Sequence, residues 1–113
     1  MQRLPKQIVP AVQLTNAVVS YYPVPANTIT TISAMSLINT TAGAVTATVH
    51  LVASGGSPTA ANMILSARTI AAGESYNVSS AIGQSLPAGA TIQALAGANT
   101  SITFVASAYE TNP

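Results

Sequence analysis

Short runs of β-branched residues, separated by turn residues at intervals of roughly ten, continue through most of this sequence. The clearest run, residues 44–53, alternates its side chains with a period of two, as a half-buried strand does. Apolar residues show no helical period beyond a single turn. The sequence therefore predicts an all-β fold, an antiparallel, jelly-roll-like β-sandwich of about seven strands. The predicted strands are residues 17–22, 28–39, 44–53, 63–70, 76–79, 91–95 and 101–109.

Three predicted turns share one feature, a Gly or Asn placed shortly before a strand. Asn27, Gly73 and Gly89 occupy these positions, and both residue types tolerate the positive φ that such turns require. We expect two hairpins, because short turns join the strands on either side. The first runs through residues 39–43, and the second runs through residues 96–99, between the last two strands.

The amino-terminal segment lacks the strand pattern. It contains Pro5, Pro10 and two basic residues, with no clear periodicity. We interpret residues 1–13 as an extended N-terminal arm rather than packed structure, and residues 14–113 as the β-sandwich domain. Prolines and polar side chains also interrupt the apolar stretch that a signal peptide needs, so we expect synthesis in the cytoplasm.

Charged side chains are scarce. The chain has three basic and two acidic residues, 4% of its length, whereas an ordinary soluble domain has about 25%. Monomers usually keep a charged surface, and isolated sheets often protect their edges with lysine. We therefore expect the faces of this protein to be covered by copies of itself or by a partner. A net charge of +1 without a basic cluster argues against nucleic-acid binding, and no apolar run approaches the length of a membrane-spanning helix.

The residue types that common enzyme chemistry requires are few. The chain has one histidine, His50, two carboxylates, Glu74 and Glu110, and no cysteine. Hydrolysis needs a nucleophile with a base, or two carboxylates that flank a bond, and a transition metal needs three or four ligands. The sequence predicts no catalytic residue, no metal and no cofactor, and therefore a protein that is not an enzyme. His50 is interpreted as a strand residue packed at a sheet face or a subunit contact.

The tyrosines and one pair of opposite charges are further candidates. Arg68 and Glu74 flank one predicted turn and are placed to form an ion pair. Aromatic rings also stack on sugars, although tyrosines at strand ends more often close a core or an interface. The candidate sugar-stacking residues are Tyr21, Tyr22, Tyr76 and Tyr109.

Several phrases resemble a known group of proteins. They are the run from Ile38 to Ser57, Ala60-Ala-Asn, Ile70-Ala-Ala-Gly-Glu and Leu86-Pro-Ala-Gly-Ala-Thr-Ile-Gln-Ala. Together they resemble small β-sandwich virion structural proteins of tailed bacteriophages, and the likeness covers about residues 24–109. Members of this group are capsid cement or decoration proteins, or parts of tails and fibres. The resemblance implies a structural role and carries over no catalytic residue.

The expected function is that of a capsid cement protein on the outer surface of the virion. Its expected partners are the major capsid protein and copies of itself, as a trimer or dimer. The apolar residues of the arm, Leu4, Ile8, Val9 and Val12, are expected to dock in a groove or to add to a sheet edge of the partner. Two alternatives stay open: a tail, collar or fibre-base subunit, and a carbohydrate-binding module for host attachment.

Overall fold

The computed structural model describes the backbone of residues 2–112 and the side chains of residues 4–111. These residues form nine strands in two antiparallel sheets, which confirms the predicted all-β sandwich. Two 3₁₀ turns, Ala60–Asn62 and Ser79–Ala81, lie between strands. The first occupies a position at which the sequence is compatible with a short helical turn. No helix in the described part of the chain is long and apolar enough to cross a membrane. The strands are β1 (Gln2–Gln13), β2 (Val19–Pro23), β3 (Ile29–Asn39), β4 (Val45–Val52), β5 (Met63–Ile70), β6 (Ser75–Asn77), β7 (Ser85–Leu86), β8 (Thr91–Ala96) and β9 (Ile102–Asn112).

The strand order is that of a jelly roll. Sheet A has the order β1-β9-β3-β6, and sheet B has the order β2-β8-β4-β5. The short strands β6 and β7 pair with different parts of β3 and together act as one interrupted edge strand. Most connections cross from one sheet to the other, whereas β4 and β5 are neighbours within sheet B. This alternation between two packed sheets is the jelly-roll arrangement that the strand and turn spacing predicts.

Both predicted hairpins are wrong. The turn after β3 leads from sheet A to β4 in sheet B, and the turn after β8 leads from sheet B to β9 in sheet A. Turn residues indicate where a chain reverses, but they do not determine which sheet the next strand joins.

Asn39 shows how the first of these crossings is held. Its amide nitrogen donates to the carbonyl oxygens of Gly43 and Ile70, both at 2.8 Å. Its amide oxygen accepts from the backbone nitrogen and the hydroxyl of Thr41, at 2.9 and 2.7 Å. Because Asn39 ends β3 and Ile70 ends β5, this buried side chain ties the two sheets together.

The central strands β8 and β9 contribute small side chains to the core between the sheets. Ala94 and Ala96 of β8 and Ala106 and Ala108 of β9 are all buried. Phe104 of β9 fills the adjoining part of the core. Small alanine side chains beside larger ones such as Phe104 allow the core to be filled without large voids.

The amino-terminal segment is a strand of sheet A, so the expectation that it is unpacked is corrected. In its pairing with β9, Lys6 lies opposite Ala108, Val9 opposite Ala106 and Val12 opposite Phe104. From Lys6 to Val12, each step of two residues along β9 therefore matches a step of three along β1, with one extra residue in each of two β-bulges. Inward-facing positions then recur every three residues, which hides the strand from a search for a period of two. The division at residue 13 into two domains stays a prediction.

The sheet edges are protected, although hardly by charge. Edge strand β1 contains Pro5 and Pro10 as well as its two bulges. Edge strand β2 has a bulge and ends at Pro23, and β5 has two register shifts and a positive φ of 44° at Ala67. Prolines and bulges both hinder the addition of a further strand. Irregular backbone geometry thus protects these edges in place of the lysine residues that the sequence lacks.

The three predicted turn positions are confirmed. Asn27, Gly73 and Gly89 have φ angles of 57°, 71° and 87°. At Gly89 the neighbouring chain is close as well, since a Cβ atom there would lie 2.5 Å from Oγ of Ser54. The turn before β8 therefore requires glycine for two separate reasons.

Candidate functional site

The four residues predicted to bind a partner have different surroundings. Leu4 is 53% exposed, whereas Ile8 and Val9 belong to the buried core at 5% and 1%. Val12 is partly buried and packs against the same core. With β1 in its sheet, Leu4 is therefore the residue of this set that is open to a partner.

One lateral opening of the sandwich, between β1 and β2, is closed by a polar cluster. The Tyr22 hydroxyl donates to Oε2 of Glu110 and shares a hydrogen bond of 2.8 Å with Oγ1 of Thr30. Nζ of Lys6 lies 3.5 Å from the same Glu110 oxygen. A bulge between Ser20 and Tyr22 inserts Tyr21, whose ring packs edge-on against the Phe104 ring, so the two consecutive tyrosines both contact sheet A.

This environment stabilises the neutral form of Tyr22. Burial of the phenol, followed by its hydrogen bond to Glu110, raises the pKa of Tyr22 to about 12. The cluster is therefore a structural link between β1, β2, β3 and β9, and its tyrosine is poorly suited to act as a base near neutral pH.

The other lateral opening, between β5 and β6, is closed by Arg68 and Tyr76. The Arg68 guanidinium lies over the Tyr76 ring, 4.7 Å from its centre. Glu74, the predicted ion-pair partner of Arg68, instead accepts a hydrogen bond from the backbone nitrogen of Ala71 at 3.1 Å. Among the described residues, the ion pair is the one between Lys6 and Glu110.

His50 is buried on the outer side of β4. Its Nδ1 donates to Oδ1 of Asn62 at 2.8 Å, and that oxygen also accepts from the backbone nitrogen of Thr59 at 3.0 Å. His50 thus packs at a sheet face and anchors the loop before β5. In the part of the chain that the structure describes, no group of three or more His, Cys, Asp or Glu side chains is placed to hold a metal ion.

The tyrosines do not form one stacking platform. Tyr21 and Tyr22 lie on β2 at one side of the sandwich, and Tyr76 lies on β6 at the other side. Tyr22 is buried, and Tyr109 is half-buried on β9. Sugar binding by the four residues together would need exposed rings on a common surface, which this arrangement does not provide.

The outer face of sheet B is covered in part by its own chain. Thr48, His50 and Val52 point away from the core of the sandwich, yet all three are buried. The backbone nitrogen of Ala67 donates to Oγ1 of Thr48 at 2.9 Å, and the loop containing Asn62 covers His50. At β4 this face is therefore closed by the bulged strand β5 and the connection that precedes it, whereas Thr91, Gln93 and Leu95 of β8 are half-exposed.

No described part of the chain forms such a cover over β3 and β9 on the outer face of sheet A. Alternate residues of β9 point outwards from sheet A and are half-exposed, and their neighbours on β3 are exposed or half-exposed. None of the outward-facing side chains that the structure describes on this sheet is charged. We call this surface the bare face, and its central residues are Ile29, Thr31, Ala34, Ser36, Ile38, Thr103, Val105, Ser107, Tyr109 and Thr111.

Comparisons with known proteins find a similar fold among solved structures. No model of a protein family matches this chain, and no curated protein matches it. Among four matching chains of solved structures is one from infectious bursal disease virus Gx strain, with a TM-score of 0.59, 11% identity and coverage of 96% of this chain. A chain from the Gt strain of that virus has a TM-score of 0.41, also at 11% identity and 96% coverage. The present chain spans 32% of either viral chain, and at this identity the likeness to the Gx chain establishes similarity of fold alone.

Proposed function

We propose that this protein is a structural subunit of a virus particle. The observation that carries the proposal is the bare face, a broad surface on which none of the described side chains is charged. Jelly rolls occur in viral capsid domains as well as in lectins and cupins, and the fold likeness to a chain of a virus supports the first of these.

Within a virus particle, the role that we propose is that of a cement protein of a tailed bacteriophage. Such a protein binds across junctions between major capsid subunits on the outer surface of the shell. The phrases between residues 24 and 109 that resemble phage virion proteins support this assignment. Weak contacts suffice for the role, because many copies on one shell add their effects through multivalency.

The contact with the shell is proposed to include Leu4. This side chain is exposed on β1 at the edge of sheet A, close to the polar cluster of Lys6 and Glu110. The partner-binding role expected for Ile8, Val9 and Val12 would require β1 to leave its sheet. We therefore propose that these three residues hold the strand in place while Leu4 contacts the partner.

The cement role is tested with particles that lack the chain. Such particles are expected to rupture at lower temperature than complete ones, and added purified protein is expected to restore their resistance. Leu4→Ser should reduce binding to the depleted particles. Ile82→Ser is the matched control, because Ile82 is 50% exposed but lies beside the 3₁₀ turn at Ser79–Ala81, away from β1. Equal thermal resistance with and without the chain would contradict the cement role, and equal binding of the two variants would contradict the role of Leu4.

A further inference from the structure

We propose that the bare face is a self-association surface, on which sheet A of one copy packs against sheet A of a second copy around a two-fold axis. This inference rests on the structural role proposed above and identifies one of its partners as this chain itself. It begins from the difference between the outer faces of the two sheets. Sheet B is covered by its own chain at Thr48, His50 and Val52, whereas no described part of the chain covers β3 and β9 of sheet A.

The chemistry of the bare face suits a copy of itself. A two-fold axis brings the residues beside it against their own copies and pairs the more distant residues reciprocally, so a charge near the axis would face an identical charge. Hydroxyl groups both donate and accept hydrogen bonds, and they can therefore pair with hydroxyl groups of the other copy. The face offers such hydroxyls at Ser36, Thr103 and Ser107, beside the apolar side chains of Ile38 and Val105.

The size of the face is sufficient for a stable contact. Strand β9 has 11 residues, which at about 3.3 Å each gives a length of about 36 Å. The three long strands β1, β9 and β3, at about 4.8 Å spacing, give a width of about 14 Å, and the five residues of β6 and β7 add a short fourth row. The resulting area of roughly 600 Å² per copy lies at the lower end of the range for a stable interface, about 600–1,000 Å² per partner.

Other surfaces of the sandwich are less suited to this contact. Prolines and bulges interrupt the edge strands, which hinders the edge-to-edge pairing of two sheets. The lateral openings are closed by the cluster around Glu110 and by Arg68 over Tyr76. A flat outer face is then the surface that remains for pairing two copies.

Sedimentation velocity of the purified full chain tests the inference, at concentrations from about 1 to 100 μM. The wild-type protein is expected to sediment as a dimer at the upper end of this range. Val105→Glu places two carboxylates near the axis and should weaken association by about 100-fold or more. The matched control is Leu95→Glu, since Leu95 is likewise half-buried and outward-facing on a central strand, but in sheet B. That variant should remain a dimer.

A second variant and a separate readout keep the outcome interpretable. If circular dichroism shows that Val105→Glu does not fold, Ser107→Glu makes the same test at a smaller side chain on the same strand. A monomeric wild-type protein, or dimers that both glutamate variants of β9 leave intact, would overturn the inference. Neither result affects the structural role if the chain is found in purified particles, whereas absence from particles would overturn that role whatever the state of the purified chain.

Discussion

Replacement of Ile8 by alanine should destabilise the protein substantially, because β1 contributes this side chain to the core. Ile8 is 5% exposed, and the substitution removes three buried carbon atoms, worth about 0.8 kcal/mol each before any cavity is counted. The expected loss in the free energy of unfolding is about 2–4 kcal/mol. For a domain of this size, that corresponds to a fall in Tm of about 8–16 °C. Thermal unfolding followed by circular dichroism measures it.

Leu4→Ala is the matched control on the same strand. Leu4 is 53% exposed, so its replacement should change the free energy of unfolding by no more than about 0.5 kcal/mol and Tm by about 2 °C. If Ile8→Ala produced a shift as small as that of Leu4→Ala, β1 would be a free arm in solution. The reasoning that places the amino-terminal segment in sheet A would then be refuted.

Three other substitutions test how the sandwich is held together. Tyr22→Phe should lower the free energy of unfolding in urea by about 1–3 kcal/mol, since it removes the hydrogen bonds of the Tyr22 hydroxyl to the buried Thr30 hydroxyl and to Glu110. Because the pKa of Tyr22 is raised, the folded state keeps a proton that the unfolded state releases above pH 10. The free energy of unfolding should therefore fall as pH rises from 10 to about 12, and this fall should be smaller in Tyr22→Phe. Asn39→Asp should lower the free energy of unfolding by about 3 kcal/mol or more, because a carboxylate would replace the amide that donates to two carbonyl oxygens. Unchanged stability would contradict the role of Asn39 in linking the two sheets. Gly89→Ala should lower Tm clearly, whereas Gly43→Ala, where a Cβ atom meets nothing within 4 Å, should leave it nearly unchanged, and equal effects would contradict the close approach at Gly89.

The strands with regular alternation were predictable from the sequence, and the irregular strand was not. β4 occupies Val45–Val52, within the predicted residues 44–53, because its side chains alternate with a period of two. β1 was missed because two bulges space its inward-facing residues three apart, and because Pro5 and Pro10 argue against a central strand. Both prolines fit an edge strand, where one side of the backbone needs no partner.

The contacts that close the sandwich join side chains that are far apart in the sequence. Tyr22 and Glu110 are 88 residues apart, and nothing near either residue indicates the other. The shortage of charge predicted an uncharged surface, but the cover over sheet B comes from bulges in β5 and from the loop around Asn62, which composition does not reveal. The residues of the bare face can therefore be identified only from the strand order.

The central claim, that this chain is a structural subunit of a virion shell, is tested most directly by its copy number in intact particles. Quantitative mass spectrometry against the major capsid protein gives that number. The account predicts a ratio near one, or a simple fraction of one, as repeated binding over a symmetric shell requires. About a dozen copies or fewer would place the chain in a tail, collar or fibre base instead. Absence of the chain from purified particles would contradict the virion role itself.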